Sequence, residues 1–219
     1  MINYKSYVTL TILALICVGL VLQAKAQLVS TISTSGVKLY LERTEFTGQS
    51  NSGTLMKTVD TLLPVLSEST AGGYEYELAG NLYNWLYFKD QSSENKEWSK
   101  HYYTMSTQYR PTWPNAYVEL AKIAQVSNDQ PALETNLKQA LRFGPSYPAT
   151  KLLYIDVVYS SWHLQSKNER IDASQQLLEF ADDWKHRENL ERMITHSKGK
   201  SRICNMLKFN RVKIKSCQV

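Results

Sequence analysis

The sequence predicts an all-α fold built from helical hairpins. A helical phrase ends at Pro111 and again at Pro145, and this 34-residue interval is typical of tetratricopeptide repeats. Only 9 Gly and 6 Pro occur, and few runs alternate apolar with polar residues, which argues against a sandwich or barrel with many tight turns. With 43% hydrophobic residues, the chain can bury a sizeable core. We therefore expect a tetratricopeptide-like array of helical hairpins, an α-α superhelix, after an N-terminal hydrophobic segment.

The first element is an apolar run from Tyr7 to Leu22, preceded by Lys5. It is longer than a signal-peptide core and shorter than the roughly 20 residues of a comfortable membrane span. The sequence Ala24-Lys25-Ala26 has the form of a signal-peptidase site, whereas extension through Val29 would give a tilted or slightly short anchor. Residues 1–27 are thus a membrane anchor or a cleaved signal peptide. Either one exports the remainder and favours a bacterial periplasmic domain, single-pass in the inner membrane if uncleaved.

The helical domain is expected over residues 28–200. In its first part, Leu28 to Tyr40, apolar and polar residues follow no single helical or strand period. A polar connector then runs from Thr47 to Gly53. Apolar residues at helical spacing then predict a short helix over Leu55 to Leu66, which Pro64 should kink or end.

The first predicted hairpin joins a helix over 74–88 to a helix that ends at Tyr109, with a loop from Lys89 to Asn95. Gly80 is its most informative residue, because glycine inside a helix costs about 1 kcal/mol relative to alanine and so indicates the close approach of a neighbouring helix. The residues expected at the packing positions are Tyr76, Ala79, Tyr83, Ser99, Tyr103 and Ser106.

The second predicted hairpin fits the repeat without adjustment. Asp129 should cap its second helix, Pro131 lies in the first turn, and Gly144 should end that helix in the left-handed conformation before Pro145. The residues expected to pack are Tyr117, Leu120, Ala121, Ala124, Leu133, Leu137 and Ala140. Beyond it, we expect a central buried helix over Ala149 to Leu164, another from Asn168, and a short one ending near Gly199.

The net charge of +5 comes from the end of the chain. Seven basic residues with no acid between them lie there, and without them 18 basic side chains face 20 acidic ones. This near-neutral balance argues against nucleic-acid binding by the body. A basic tail over 201–219 would be solvated, or would adsorb to anionic lipid or polymer at about 1 kcal/mol per charge. Within it, Cys204 and Cys217 form either a disulfide worth about 3 kcal/mol or two unpaired thiols.

Aromatic residues are concentrated between Tyr74 and Tyr117, where 12 of the 24 in the chain occur. Packing between helices explains such spacing in most proteins. Sugars also stack on aromatic rings, and a sugar-binding groove would be lined by Tyr87, Trp98, Tyr109 and Trp113. Trp113 is the ring expected to be partly exposed, because Pro111 and Pro114 place it in a turn.

The sequence predicts no catalytic residue, metal ligand or cofactor site. Residues 48–53 miss the Gly-x-Ser-x-Gly pattern by one position and lack its strand-to-helix setting. Glu75 and Glu77 point to different helix faces and, like Asp182 and Asp183, are interpreted as solvated acids. The four histidines are scattered without ligand spacing.

Three segments resemble the VpsP family of polysaccharide biosynthesis proteins. They are YEYELAGNLYNWL from Tyr74, RPTWP from Arg110 and LRFGP from Leu141, and Arg202-Ile203-Cys204 is similar to the family's ending. The resemblance covers roughly residues 29–207; the extension beyond it and the loop around Gly48 depart from the pattern. It implies a short N-terminal anchor, a helical repeat domain outside the inner membrane, and a role in making or exporting exopolysaccharide or O-antigen-like polymer, with no known catalytic residues.

The expected function is a non-catalytic periplasmic scaffold that binds other membrane proteins of polysaccharide assembly, with the polymer itself as a further candidate partner. Two alternatives stay open: a polysaccharide-modifying lyase or hydrolase, and a secreted carbohydrate-binding module.

Overall fold

A computed structural model describes residues 4–68 and 71–218 of the chain, and these residues form an all-α structure. Ten α-helices and two short 3₁₀ helices make up its regular elements, and no strand occurs in this part of the chain. The predicted fold class is confirmed. The helices divide into two compact units, one ending at Arg110 and the other beginning at Pro111, where the sequence predicted one helical domain over 28–200.

The N-terminal helix α1 runs from Tyr4 to Thr47 as 44 continuous residues. At 1.5 Å per residue it is about 66 Å long, roughly twice the hydrocarbon thickness of a bilayer. Its side chains from Leu10 to Leu22 are exposed, whereas Val37 and Leu41 are buried against the helices that follow. The boundary predicted at residue 27 therefore lies inside one helix that joins the apolar segment to the first unit.

Helix α2 spans Ser52–Leu66 after a short connector, and the Asn51 side chain caps it by accepting a hydrogen bond from the Gly53 amide at 2.7 Å. Pro64 lies in its last turn, so the helix ends shortly after it, as expected. The buried face of α2 packs on α1 and α3 through Leu55, Val59, Leu62 and Val65.

Helices α3 (Gly73–Asp90) and α4 (Ser93–Tyr109) form the first predicted hairpin. Their connection is shorter than the predicted loop, because Gln91 takes a left-handed conformation (φ 54°) that reverses the chain within two residues.

The second unit begins with the hairpin of α5 (Pro114–Val126) and α6 (Gln130–Phe143). Asp129 caps α6 as predicted, its carboxylate accepting a hydrogen bond from the Ala132 amide at 3.2 Å. The prediction of a left-handed Gly144 is wrong, since its φ is −145°. Glycine is needed there because a Cβ atom would lie 2.6 Å from the Pro114 ring.

Helix α7 (Pro148–Ser160) is the predicted central helix and is buried on several sides, although it ends before a 3₁₀ turn over Trp162–Leu164. Helices α8 (Lys167–Asp182), α9 (Arg187–His196) and α10 (Lys200–Phe209) surround it, and the second 3₁₀ turn is Lys215–Cys217.

Residues 201–219, expected as a basic tail, are folded into the core of the second unit over their described part. Ile203, Leu207 and Ile214 are buried there. A disulfide joins Cys204 to Cys217 across a sequence separation of 13 residues. The prediction of a solvated tail is therefore wrong. The cations lie on the outside of a segment whose spaced apolar residues are buried in the core.

Candidate binding surfaces

Small residues let the backbones of α3 and α4 come close together, as the sequence predicted. Ser99 Oγ donates a hydrogen bond to the Gly80 carbonyl at 3.0 Å, and Ser106 Oγ donates one to the Gly73 carbonyl at 2.7 Å. Both serine side chains are fully buried. A Cβ atom on Gly80 would lie 2.6 Å from the ring of Tyr103. At Gly80 and Gly73, therefore, small serine side chains of α4 bond directly to the backbone of α3.

The aromatic residues of this hairpin form a continuous ladder of rings. Tyr109 contacts Tyr76 with 5.1 Å between ring centroids, and Tyr76 lies 6.4 Å from Tyr102. Tyr102 continues to Tyr83 at 5.5 Å, and Tyr83 to Trp98 at 6.0 Å. Burial raises the pKa values of the three central tyrosines above the usual value for a phenol. Most of the aromatic cluster is thus packing between helices.

The four residues predicted to line a sugar-binding groove do not all belong to one surface. Trp98 and Tyr109 are exposed at opposite ends of the ladder, and Tyr87 is half-buried on α3. Trp113 belongs to the second unit, where it immediately precedes α5 and its ring lies 6.3 Å from that of Tyr147, measured between centroids. Its predicted partial exposure is confirmed at 36%.

The second hairpin holds its predicted residues mainly in the core. Ala121, Ala124, Leu133 and Ala140 are buried, and Leu137 is half-buried against them. The Tyr117 hydroxyl donates a hydrogen bond to the Pro111 carbonyl at 3.0 Å and so closes the turn that precedes α5.

A polar cluster that the sequence analysis missed surrounds Asp156 on α7. Its carboxylate accepts hydrogen bonds from Gln125 Nε2 at 2.9 Å, from Ser160 Oγ at 3.2 Å and from Ser197 Oγ. These donors come from α5, α7 and the turn after α9, so no local pattern could have assembled them. A cavity of about 180 Å³ opens beside the cluster, bordered by Lys198, whose ammonium donates to Asn128 Oδ1 at 3.1 Å.

Of the four acidic residues weighed at the sequence level, Asp182 is exposed as expected and the other three have partners. Glu75 accepts a hydrogen bond from the Gly72 amide at 3.0 Å and so stabilises the start of α3. Glu77 is buried rather than solvated, and its carboxylate lies 3.7 Å from Arg110 Nη1. Asp183 lies 3.8 Å from His186 Nε2. In the described part of the chain, no three metal-ligating side chains come together.

No protein-family model and no curated protein matches this chain. The resemblance to the VpsP family therefore stays a prediction from the quoted segments. Among the residues that the structure describes, one helix, α1, is long and apolar enough to cross a membrane.

Proposed function

We propose that this chain is a membrane-anchored, non-catalytic scaffold that binds other proteins of a polysaccharide assembly system through its helical hairpins. The observation that carries this proposal is the continuity of α1, whose exposed apolar half passes without a break into the half that packs on α2 and α3. A continuous helix holds the first unit at a set distance and orientation from the bilayer. An adaptor benefits from such rigidity, because less conformational freedom is lost when the partner binds.

The outer face of α2 supports protein binding. Met56 and Leu63 lie two helical turns apart on one side of the helix and are 50% and 38% exposed. A stripe of this kind accepts the apolar face of a partner helix. The opposite exposed positions at the same spacing, Thr54 and Thr61, are polar and provide a matched control.

The polysaccharide setting and the periplasmic location rest on the sequence resemblance and on the export segment. The partners expected from it are polymerase, chain-length or export proteins of the inner membrane, bound next to the anchor.

Site-specific photocrosslinking in the native membrane tests the scaffold. A photoreactive amino acid at Met56 or Leu63 should capture discrete envelope proteins, whereas one at Thr54 or Thr61 should capture few. Met56→Asp should reduce capture at Leu63 by about tenfold or more, because it places a charge where an apolar side chain is buried in the complex. Equal capture at all four positions, or recovery of no polysaccharide-assembly protein, would count against the proposal.

The non-catalytic part of the proposal has its own test. The purified full chain, incubated with the polysaccharide of its own strain, should release no new reducing or unsaturated ends. Any turnover above that of a heat-denatured sample would establish an enzyme instead.

A carbohydrate-binding module is the second candidate, favoured by the exposure of Trp98 and Trp113. It predicts glycan binding that weakens on Trp98→Ala or Trp113→Ala. The scaffold proposal predicts that both variants leave glycan retention unchanged.

A further inference from the structure

Two aromatic side chains of the second unit project into solvent from segments that contact each other. Trp184, in the turn between α8 and α9, is 78% exposed, and Phe209, at the end of α10, is 85% exposed. Their segments are joined by a hydrogen bond that Arg187 Nη2 donates to the Lys213 carbonyl at 3.2 Å. The 3₁₀ turn that follows Lys213 also packs on α9. The turn that carries Trp184 and the segment that follows Phe209 are therefore held together in this unit.

Cations surround these rings. Lys185 Nζ lies 6.0 Å from the centroid of the Trp184 ring, and Lys208 and Arg211 flank Phe209 in the chain. Together with Lys213, they form what we call the basic-aromatic surface: Trp184, Lys185, Lys208, Phe209, Arg211 and Lys213. All six side chains are exposed.

The surface is positively charged overall. From residue 208 to residue 215 the chain carries four cations and no acid, and Lys185 and Arg187 add two more. The segment around Trp184 adds three acids, Asp182, Asp183 and Glu188, so that the cations exceed the acids by three.

The cations are held on a folded segment. Ile214 is buried in the core of the second unit, and the disulfide between Cys204 and Cys217 closes the segment onto α10. The exposed rings and charges thus stand in a defined arrangement before any ligand binds, so ordering them costs little on binding.

We propose that the basic-aromatic surface binds the headgroup region of an anionic lipid bilayer. Lysine and arginine near a bilayer are attracted to anionic headgroups, and tryptophan and phenylalanine insert at the boundary between headgroups and acyl chains. The two rings favour a bilayer, because inserting them at the headgroup boundary removes their apolar faces from water. A soluble acidic polymer is the alternative that dextran sulfate binding distinguishes. This contact is reversible and separate from the α1 anchor, and it does not rest on the proposed scaffold function.

The test uses the full chain in nanodiscs of phosphatidylcholine, so that α1 is already embedded. The discs are mixed with vesicles of phosphatidylcholine alone, or of equal parts phosphatidylcholine and phosphatidylglycerol, and co-flotation is measured. We expect flotation with the anionic vesicles only, decreasing as salt is raised. Brominated lipid in those vesicles should quench part of the tryptophan fluorescence of the wild type. The Trp184→Phe variant lacks this quenchable part.

Substitutions on the surface separate the contribution of its cations from the contribution of its aromatic rings. Lys208→Gln with Lys213→Gln should weaken binding about 30-fold, the effect of losing two interfacial cations. Phe209→Ala should weaken it about tenfold by removing an inserted ring. The matched control, Lys138→Gln with Lys167→Gln, removes two exposed cations elsewhere in the second unit and should bind as the wild type does. The substituted side chains are exposed, so folding should be retained, which circular dichroism verifies.

Three outcomes would overturn the assignment. Equal flotation with neutral vesicles would show that charge does not drive binding. Wild-type binding by the double lysine variant would show that this surface is not the binding site. Binding of dextran sulfate as tight as vesicle binding, with Phe209→Ala behaving as wild type, would assign the surface to an acidic polymer instead.

Discussion

Replacing Gly80 with alanine tests the close packing of the first hairpin. The new Cβ atom would lie 2.6 Å from the ring of Tyr103, well inside van der Waals contact. Tyr103 is fully buried and its hydroxyl donates a hydrogen bond to Asn81 Oδ1 at 2.6 Å, so the ring has no room to move away. The helices must separate instead, which also stretches the bond from Ser99 to the Gly80 carbonyl.

The expected effect combines opposing contributions. Alanine favours a helix by about 1 kcal/mol over glycine. Overpacking costs about 1–3 kcal/mol, and weakening a buried hydrogen bond costs about 1–3 kcal/mol more. We therefore expect Gly80→Ala to lower the free energy of unfolding by about 3 kcal/mol, the middle of the range that these contributions give, which corresponds to a decrease in Tm of about 6–12 °C.

Thermal unfolding of the full chain in detergent, followed by circular dichroism, measures this effect. Gly36→Ala is the matched control, because Gly36 is an exposed helical glycine and no neighbouring atom lies within 4 Å of the place that a Cβ would take, so this change should not lower Tm. In a Tyr103→Leu background, Gly80→Ala should become neutral or stabilising, since the clashing ring is gone. A Gly80→Ala protein as stable as the Gly36→Ala protein would refute the reasoning.

Two further predictions concern the second unit. Reduction of the Cys204–Cys217 disulfide should lower the free energy of unfolding by about 3 kcal/mol, because the loop it closes is released in the unfolded state; denaturant titration with and without reductant measures this, and the Cys204→Ser, Cys217→Ser protein should be insensitive to reductant. Burial, with Asp172 nearby, raises the pKa of Tyr154 from 10.0 to about 12. Because the folded protein favours the neutral phenol of Tyr154, this residue contributes fully to the free energy of unfolding below pH 10. That contribution is lost as the pH rises toward about 12. Absorbance titration should show a late-titrating phenol that Tyr154→Phe removes, and an unchanged titration curve would contradict the assignment.

The hairpins could be predicted from sequence because their signals are local. Gly80 with Ser99 and Ser106 indicated close helix packing, and all three do mediate it. Caps and prolines likewise predicted where α2 and α6 would begin or end, since they act on backbone groups of their own helix turn. Gly144 shows the limit of such reasoning: its position was predicted, but the reason was a ring from the start of α5 rather than a left-handed turn.

The candidate sites depended on contacts between distant residues. Whether Trp98 and Tyr109 formed one groove could not be read from their spacing, because each ring's exposure depends on which neighbour covers it. The cluster at Asp156 draws on Gln125 and Ser197, which are far apart in the chain.

Composition and periodicity alone were sufficient for the all-α class, the paired helices and the apolar N-terminal helix, because helical pattern and hydropathy are properties of neighbouring residues. Folding of the last segment was decided only in three dimensions. Its cations suggested a solvated tail, yet Ile203, Leu207 and Ile214 are buried against helices formed earlier in the chain. Burial of those three side chains depends on a core that no local pattern specifies, and the folded segment is held to the start of α9 by the hydrogen bond from Arg187 to the Lys213 carbonyl.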